Sequence, residues 1–431
     1  MRVFQNKIGA LFQTAGTYTL ANILNSAIPF LLLPIFTRYL KPFDYGVVAT
    51  FQVLISFIAP FIGLSIQGAI SVKYYDKSGV DLPKYIANCL IVLLSSSIFT
   101  SIVLWCFASN ISDFLTFPTE WLWSIIIISI GQFLVQVVLT LWQVQIKPIS
   151  YGTFQILQTI SNISLSLVLI IVVGMNWQGR VIAQVFCDGT FGLIAVIILY
   201  KNKFIKMEYD KSYIVSALKF GVPLVPHALA GWVMTAVDRV FINKMVGIAD
   251  TGVYVVGYQV AMVITVIETS FDNAWVPWLY HNLATGDQQT KLKIVKLSYI
   301  FIASILFIAM FLSVTAPWFM KFLVGKEFRG SVKFVFWLAL SKGLYSVYFV
   351  TACYLFYCKR TVLVAFSTFS SAVIHIIATY YLIKINGAIG AAQGGVISTL
   401  TLICMTWYFS NRIYKMPWGL QPNILSEQIA S

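Results

Sequence analysis

The chain has 431 residues, of which 59% are hydrophobic and only 10% are charged. Soluble domains have roughly 45–50% apolar and about 25% charged residues, so this composition excludes an ordinary soluble domain and indicates a membrane protein. The formal net charge of +14 does not require a nucleic-acid partner. Most of the basic residues lie in short loops, where membrane topology and anionic lipid headgroups explain them. We therefore expect membrane lipids, and no nucleic acid, as partners.

Twelve apolar blocks follow one another along the chain, and each is long enough to cross a hydrocarbon core of ~30 Å as a helix. Strands of a membrane barrel would alternate lipid-facing and lumen-facing residues, but runs such as CLIVLLSSSIFTSIVLWCF do not alternate. The sequence therefore predicts an all-α integral membrane protein with about 12 transmembrane helices. The blocks run approximately from 14 to 37, 45 to 71, 86 to 108, 121 to 143, 153 to 174, 180 to 200, 221 to 243, 252 to 278, 295 to 316, 334 to 356, 362 to 383 and 388 to 410.

The distribution of lysine and arginine predicts how these helices are oriented. With the N-terminus in the cytoplasm, most of the 29 basic residues fall at cytoplasmic helix ends and loops. Both termini are therefore predicted to be cytoplasmic. The most polar connection, YKNKFIKMEYDKSY, follows the sixth helix. It divides the chain into an N-terminal six-helix lobe (1–200), a cytoplasmic basic linker (201–213) and a C-terminal six-helix lobe (214–431).

The two predicted lobes share a short internal similarity between FDYGVVA and ADTGVYV. Six helices in each copy is an even number, so the two copies would have the same orientation in the membrane. Parallel repeats of this kind, with a substrate site between the halves, are a common plan for transporters. The matching positions are Asp44 and Asp250, Gly46 and Gly252, and Val47 and Val253.

Polar residues within the predicted helices are costly in lipid and usually face a bundle interior or a water-filled cavity. Helical spacing places many of them on common faces. Small and polar residues also hold membrane helices together, so packing is the alternative explanation for the uncharged ones. The uncharged candidates for substrate binding are Asn22, Asn25, Gln52, Tyr254 and Tyr258. The charged residues expected to face a cavity are Asp188, Asp238, Arg239, Glu268, Asp272 and Lys342, with His227 and His375 as weaker candidates.

Two pairs of charges lead to specific expectations. Glu268 and Asp272 are four residues apart and share a helix face, where a bound proton or Na⁺ could be coupled to transport. Pairing of each carboxylate with a lysine or arginine is the alternative. Asp238 and Arg239 are adjacent, point about 100° apart and are not expected to form a simple mutual salt bridge. We expect Arg239 and Lys342 to form a cationic cavity wall; the alternative for Arg239 is an anchor at the membrane interface.

Two passages resemble a known family. They are LPIFTRYLKPFDYGVVATFQVLISFIAPFIGLSIQGAISVKYY (33–75) and VPLVPHALAGWVMTAVDRVFINKMVGIADTGVYVVGYQVAMV (222–263). Both are similar to the polysaccharide transport branch of the multidrug/oligosaccharidyl-lipid/polysaccharide (MOP) exporter superfamily, and most of all to its O-antigen flippases, the Wzx family. The residues that carry the resemblance include Pro34, Arg38, Tyr45, Gly46 and Lys73 in the first passage and Pro223, Trp232, Asp238, Arg239, Gly247 and Gly252 in the second.

The resemblance implies two six-helix lobes with a MATE-like fold, which alternate between inward-open and outward-open states in the bacterial inner membrane. The implied cargo is an undecaprenyl-pyrophosphate-linked oligosaccharide repeat unit of O-antigen or a similar surface polysaccharide. The polysaccharide polymerase and the chain-length regulator of that pathway are the implied partners. Arg38 and Lys73 join the candidates for binding the pyrophosphate, because an anion in a low-dielectric groove needs Lys or Arg. No cofactor is expected apart from a coupling H⁺ or Na⁺.

Two other functions remain open. A cation-coupled multidrug exporter of the same superfamily would share the architecture, but such exporters commonly place a carboxylate in the first helix, where this chain has Asn22 and Asn25. A membrane-embedded polysaccharide polymerase or glycosyltransferase would usually need sizeable loops with catalytic residues. The predicted connections are too short for that, and the chain has no GxxxxGK[ST] phosphate loop. We therefore expect a transporter and not an enzyme.

Overall fold

The computed structural model describes residues 30–76, 79–285 and 287–419. Within these ranges the regular structure is helical, without strands, and eleven helices are long and apolar enough to cross a membrane. The all-α prediction is therefore confirmed, and these helices coincide with all the predicted apolar blocks after the first. The first predicted helix (14–37) lies mostly outside the described residues.

The described residues form fifteen α-helices. In chain order they are α1 (Leu33–Tyr39), α2 (Pro42–Ile58), α3 (Gln67–Tyr74), α4 (Leu82–Cys106), α5 (Ala108–Leu115), α6 (Leu122–Val144), α7 (Pro148–Leu167), α8 (Trp177–Lys201), α9 (Lys211–Gly221), α10 (Leu224–Met245), α11 (Ile248–Thr285), α12 (Gln288–Leu323), α13 (Val332–Tyr357), α14 (Thr361–Asn386) and α15 (Ala388–Ile413). The chain packs as two compact units, unit 1 (Met1–Gly252) and unit 2 (Val253–Ser431).

The helices that follow the predicted linker, α9 and α10, pack with the helices before it. Trp232 Nε1 on α10 donates to the carbonyl oxygen of Val53 on α2 (3.1 Å). The side-chain amide of Asn243 donates to Thr50 Oγ1 (3.1 Å). Packing in a single structure does not show which helices move as one body. The division into six-helix lobes at 201–213 therefore stays a prediction.

Acidic side chains define where several helices begin. Asp81 accepts a hydrogen bond from the backbone N–H of Lys84 at the start of α4 (3.3 Å), and Asp287 accepts one from Thr290 at the start of α12 (2.9 Å). A helix leaves the N–H groups of its first turn without internal partners, and a capping carboxylate satisfies one of them. Both helices consequently begin several residues before the apolar blocks predicted from the sequence.

The second predicted block (45–71) is not one continuous helix. Between α2 and α3, residues 59–66 form two short 3-10 turns. Pro60 lacks an N–H donor, and the three residues that begin with Gly63 have φ angles between 50° and 73°. The N–H of Gly63 donates to the hydroxyl of Ser96 on α4 (2.9 Å). The break is therefore satisfied by a neighbouring helix, as lipid surroundings require.

The linker after α8 is tied to the start of α4. Lys84 Nζ lies 3.1 Å from an oxygen of Asp210 and 3.7 Å from one of Glu208. The side-chain amide of Asn88 donates to the carbonyl oxygen of Glu208 and accepts from the backbone N–H of Asp210. Hydrogen bonds from Ser212 and from Lys84 hold the pKa of Asp210 at about 2, so its charge persists at physiological pH. The linker therefore lies against α4 and is not a loose tether.

Two helices, α11 and α12, are longer than predicted. They have 38 and 36 residues, or about 57 and 54 Å at 1.5 Å per residue, whereas the hydrocarbon core of a bilayer is ~30 Å thick. The predicted blocks at 252–278 and 295–316 are too short because polar residues continue each helix after its apolar stretch has ended. Both helices therefore extend beyond the hydrocarbon region.

Small and hydroxyl-bearing residues hold α14 and α15 together. A Cβ at Gly394 would overlap Thr379. Ser371 Oγ donates to the carbonyl oxygen of Ser398 (2.7 Å), and His375 Nδ1 lies 3.1 Å from Ser398 Oγ. Membrane helices associate closely through such residues. His375 is 2% exposed and takes part in this packing.

The short internal similarity of the chain has a structural basis in unit 1. Gly46 on α2 faces the carbonyl group of Ile248 at the start of α11, and Gly252 on α11 faces the carbonyl group of Pro42 at the start of α2. A Cβ on either glycine would overlap that oxygen. The starts of α2 and α11 therefore cross with no room for a side chain, and matching residues occupy matching places in the crossing.

We predict that Gly46→Ala and Gly252→Ala each destabilise the protein by about 1–3 kcal/mol, because the added methyl group forces the crossing apart. Gly231→Ala, on α10, is the matched control, since a Cβ there meets nothing within 4 Å. In the control, replacing a helical glycine by alanine without a clash should stabilise the protein by ~1 kcal/mol. Thermal unfolding of the purified proteins in detergent measures all three. Wild-type melting temperatures for the first two variants would contradict the close crossing.

Candidate functional site

A buried polar cluster of unit 1 is centred on Asp188, near the middle of α8. Its side chain is 5% exposed. Gln132 on α6 donates to one carboxylate oxygen (3.0 Å), and Gln158 on α7 donates to the other (2.9 Å). A carboxylate within the membrane needs such partners, because its water is lost on burial. Two neighbouring helices thus hold the charge that the sequence places here.

Close helix packing makes this cluster possible. Gly131 on α6 lies against the backbone carbonyl group of Asp188, where a Cβ would overlap it. The next residue, Gln132, consequently reaches the carboxylate. Gln184, one turn before Asp188, accepts a hydrogen bond from Gln52 on α2 (2.6 Å). Gln52, a predicted substrate-binding residue, is therefore part of the same cluster.

Arg180 forms a second polar centre two turns before Asp188 on α8. Its Nη1 donates to Asn162 Oδ1 (2.6 Å) and to Ser166 Oγ (2.8 Å) on α7. The guanidinium also lies over the ring of Phe36, 5.4 Å from its centroid. Sequence reasoning missed Arg180 because it lies at the edge of a predicted apolar block. The helical spacing of Asn162 and Ser166 was the signal that could have indicated such a partner.

The two centres form one polar face on α7 and α8. Asp188 is buried, whereas Arg180, Asn162, Gln158 and Gln52 are only half-buried. Side-chain amides both donate and accept hydrogen bonds, and the guanidinium donates several. The face is therefore able to exchange its internal hydrogen bonds for bonds to a polar ligand.

Unit 2 has a charged cluster of its own, formed by α11 and α13. Lys342 Nζ lies 3.2 Å from the hydroxyl oxygen of Tyr258 and 4.8 Å from its ring centroid. Glu268 is 4% exposed and faces Lys342. Asp272, one turn further along α11, faces Glu268. The structure thus brings four of the predicted site residues together.

The formal charges of this cluster do not balance. The ammonium group of Lys342 faces Glu268, whereas Asp272 faces Glu268. Glu268 Oε2 and Asp272 Oδ1 are buried without a hydrogen-bond partner among the described residues. An ionised carboxylate held away from water is costly unless it is paired. If Lys342 neutralises one carboxylate, a proton or a monovalent cation has to neutralise the other. The cluster is therefore chemically suited to take up and release one positive charge.

Two predicted site residues have packing or local roles in this structure. Tyr254 is fully buried, and its ring packs edge-on against Phe334 within unit 2. Lys73 forms an ion pair with Asp76 just after α3 (2.8 Å). Neither belongs to the two clusters described above.

The other predicted residues lie at separate places. Asp238 is buried and Arg239 is half-buried, both near the end of α10, while Arg38 on α1 and His227 on α10 are exposed. In the part of the chain that the structure describes, no three His, Cys, Asp or Glu side chains are grouped so that they could hold a metal ion. Outside the described residues lie Asn22 and Asn25.

The fold defines the class of the protein. A multidrug resistance MATE family transporter of the MOP superfamily, in an inward-facing conformation, is similar with a TM-score of 0.71 and 15% identity, over 92% of this chain and 94% of that chain. The lipid II flippase MurJ, in an inward closed conformation, is similar with a TM-score of 0.68 and 16% identity, over 91% of this chain and 87% of that chain. The protein is therefore a multi-pass membrane protein with the fold that these transporters share.

The sequence defines the family. Residues 11–282, more than half of the chain, match the polysaccharide biosynthesis protein family, and the chain belongs to that family. A protein of the Lsg locus of Haemophilus influenzae is 23% identical over 414 residues, which cover 94% of this chain and 99% of that protein. The resemblance predicted from the passages at 33–75 and 222–263 is confirmed.

We predict that Asp188→Leu lowers the stability of the protein by about 1–3 kcal/mol for each amide that it leaves buried without an acceptor. Asp188→Asn should cost less, because its carbonyl oxygen still accepts from Gln132 or Gln158. Thr190→Val is the control on the same helix, since it replaces a half-buried polar residue of α8, outside the Asp188 cluster, by an apolar one. Melting temperature and abundance in the membrane are measured together. Equal stability of Asp188→Leu and Thr190→Val would show that the cluster contributes nothing to folding.

Proposed function

We propose that the protein is a flippase for undecaprenyl-pyrophosphate-linked oligosaccharide repeat units of O-antigen or a similar surface polysaccharide. It works by alternating access in the bacterial inner membrane, with both termini in the cytoplasm. The observation that carries the proposal is the combination of a polysaccharide biosynthesis family with a fold shared by transporters. One of those transporters, the lipid II flippase MurJ, is itself named for moving a lipid.

The polar clusters provide the chemistry that such a cargo needs. An oligosaccharide pyrophosphate does not cross ~30 Å of hydrocarbon unaided, because its hydroxyl groups and charges would lose their water. The amides of Gln52 and Gln158 can donate to and accept from sugar hydroxyls. Tyr258 offers a ring face to a sugar. That Lys342 and Arg239 meet the pyrophosphate stays a prediction of this proposal.

A cation-coupled multidrug exporter is the second candidate. The similarity in fold to a multidrug resistance MATE transporter supports it, as does the pair of carboxylates at Glu268 and Asp272. The family match favours the flippase, because that family is defined by polysaccharide biosynthesis. A membrane-embedded polymerase or glycosyltransferase has less support, since the similar structures are transporters. We therefore propose transport without catalysis.

We predict that loss of the protein traps the lipid-linked repeat unit in the cytoplasmic leaflet, because its polar head has no other path through the hydrocarbon core. Right-side-out membrane vesicles are treated with a membrane-impermeant glycosidase that cuts the repeat unit. Vesicles with the wild-type gene should lose most of the intact lipid-linked glycan, and vesicles from a deletion strain should retain it. A plasmid copy of the gene in the deletion strain should restore cleavage of the lipid-linked glycan. Equal cutting in the two strains, together with lost export of a cationic drug, would favour the multidrug exporter.

We predict that the double variant Glu268→Gln, Asp272→Asn slows transport by about tenfold or more, because the site no longer takes up a positive charge. Transport by this variant should also lose its dependence on pH and on Na⁺. Ser270→Ala is the control on the same helix, since Ser270 donates to the carbonyl oxygen of Val266, one turn earlier in that helix (2.8 Å). The readout is transport in vesicles of equal protein content. Unchanged ion dependence in the double variant would assign the carboxylates to structure alone.

A further inference from the structure

An elongated apolar groove lies within unit 1, and we call it the α4 groove. Its volume is about 1260 Å³. Along α4 the lining runs from Ile91 to Phe107, which is about 24 Å of helix at 1.5 Å per residue. The other walls come from α2, α5, α9 and α10, and include Phe57, Phe114 and Trp232. The groove follows the helix axis and is nearly as long as the ~30 Å hydrocarbon core is thick.

The wall of the α4 groove offers contacts to hydrocarbon and few to polar groups. Most of its lining side chains are aliphatic or aromatic. The hydroxyl of Ser95 already donates to the carbonyl oxygen of Val92 (3.0 Å), and the hydroxyl of Ser96 already accepts from the N–H of Gly63 (2.9 Å). A polar ligand would lose its water there without gaining equivalent partners. A hydrocarbon chain is therefore the occupant that fits.

Size and shape favour one long chain. Sites for compact small molecules measure roughly 300–1,000 Å³, and this groove is larger. Phe99 and Phe107 are 69% and 56% exposed, so the groove is open along the surface of unit 1 and a chain can enter sideways. The two shorter chains of a phospholipid would have to lie abreast in it. A polyprenyl chain is single, long and branched, and its methyl groups and double bonds pack against aromatic side chains.

A cation lies at one end of the groove. Lys244, in the last turn of α10, has its Nζ 5.8 Å from the ring centroid of Phe114 and 3.4 Å from the carbonyl oxygen of Asp113. The side chain of Lys244 is exposed, so it can pair with a phosphate group. The side chain of Asp113 is exposed at the same end and reduces the net positive charge. Lys244 therefore contributes one ionic contact to a site whose main contacts are apolar.

The first described helix, α1, packs at another face of unit 1. Phe36, in α1, contacts Arg180 of α8, whereas the described lining residues of the groove belong to other helices. The described part of the N-terminal region therefore does not line the groove.

We propose that the α4 groove binds the polyprenyl chain of the cargo lipid, with the phosphate end toward Lys244. This inference rests on the proposed function, which supplies the lipid, and it extends that function by giving the tail a binding site on the protein. The tail is then bound to unit 1 in the state in which the phosphate lies at the Lys244 end, instead of remaining free in the bilayer.

Photo-crosslinking tests this assignment directly. The full-length protein in phosphatidylcholine nanodiscs is incubated with a polyprenyl monophosphate that carries a diazirine in its chain, then illuminated, digested and mapped by mass spectrometry. Crosslinks are expected on the lining of the groove, above all along α4 between Ile91 and Leu104. Unlabelled polyprenyl phosphate should compete with the probe, and the same concentration of phosphatidylglycerol should not.

A pair of neighbouring substitutions provides the matched variants. Val103→Trp puts an indole into the groove and should lower crosslinking by about tenfold. Ile102→Trp adds the same side chain at the next residue, which is 54% exposed and outside the lining, and should crosslink as the wild type does. If Val103→Trp does not fold, Ser95→Trp with Leu94→Trp as its control makes the same comparison. Lys244→Ala should weaken binding of polyprenyl phosphate and leave binding of uncharged polyprenol unchanged.

Three results would overturn the proposal: crosslinks outside the lining of the α4 groove, wild-type crosslinking by a folded groove-filling variant, or equal competition by phosphatidylglycerol. The probe carries no sugar and the assay needs no transport, so it is separate from the test of the flippase. Binding of the probe in the groove without translocation of the lipid-linked oligosaccharide would refute the flippase and leave the groove assigned. Translocation without binding in the groove would refute the groove alone.

Discussion

Within hydrocarbon, a polar group of this chain has to find its partner inside the protein, because lipid offers none. The helices satisfy the backbone in this way, and where the helix stops after α2, Ser96 accepts the N–H of Gly63. Charges follow the same rule in unit 1. Asp188 is surrounded by donating amides, and Arg180 by accepting oxygens. The close crossings at glycine are a consequence, since these partners meet only where two helices approach without side chains between them.

The two units satisfy this constraint to different degrees. In unit 1 the carboxylate and the guanidinium each have several partners from neighbouring helices, so their positions are well determined. In unit 2, Lys342 faces Glu268 but Asp272 faces only that carboxylate among the charged groups described, so one negative charge is left to be neutralised. Such a site becomes neutral only when it binds a proton or a cation from the solution. The first cluster therefore suits recognition of a neutral polar ligand, and the second suits exchange of a cation.

The sequence predicts local properties of this protein well and contacts poorly. Hydropathy over about 20 residues locates the helices, because crossing a bilayer requires a continuous apolar stretch. Hydropathy does not predict the full lengths of α11 and α12, because the ends of both helices are polar. Hydropathy does not reveal the role of Arg180, because that role depends on its hydrogen bond to Asn162 of a neighbouring helix. Gln52 and Lys342 could be selected as polar residues within helices, but their partners could not. The α4 groove depends on five helices at once and has no signature in any one of them.

The ion pairs that attach the linker to α4 also hold the chain in place just before α9 and α10. Lys84 and Asn88 hold the linker just before α9 begins, so extra residues inserted into it would lengthen the chain without releasing α9. After the linker, the chain is next interrupted between α9 and α10, where Pro223 lacks an N–H donor. A tilt of α10 against α9 would therefore be a rotation about that interruption, and lengthening the linker would not change it.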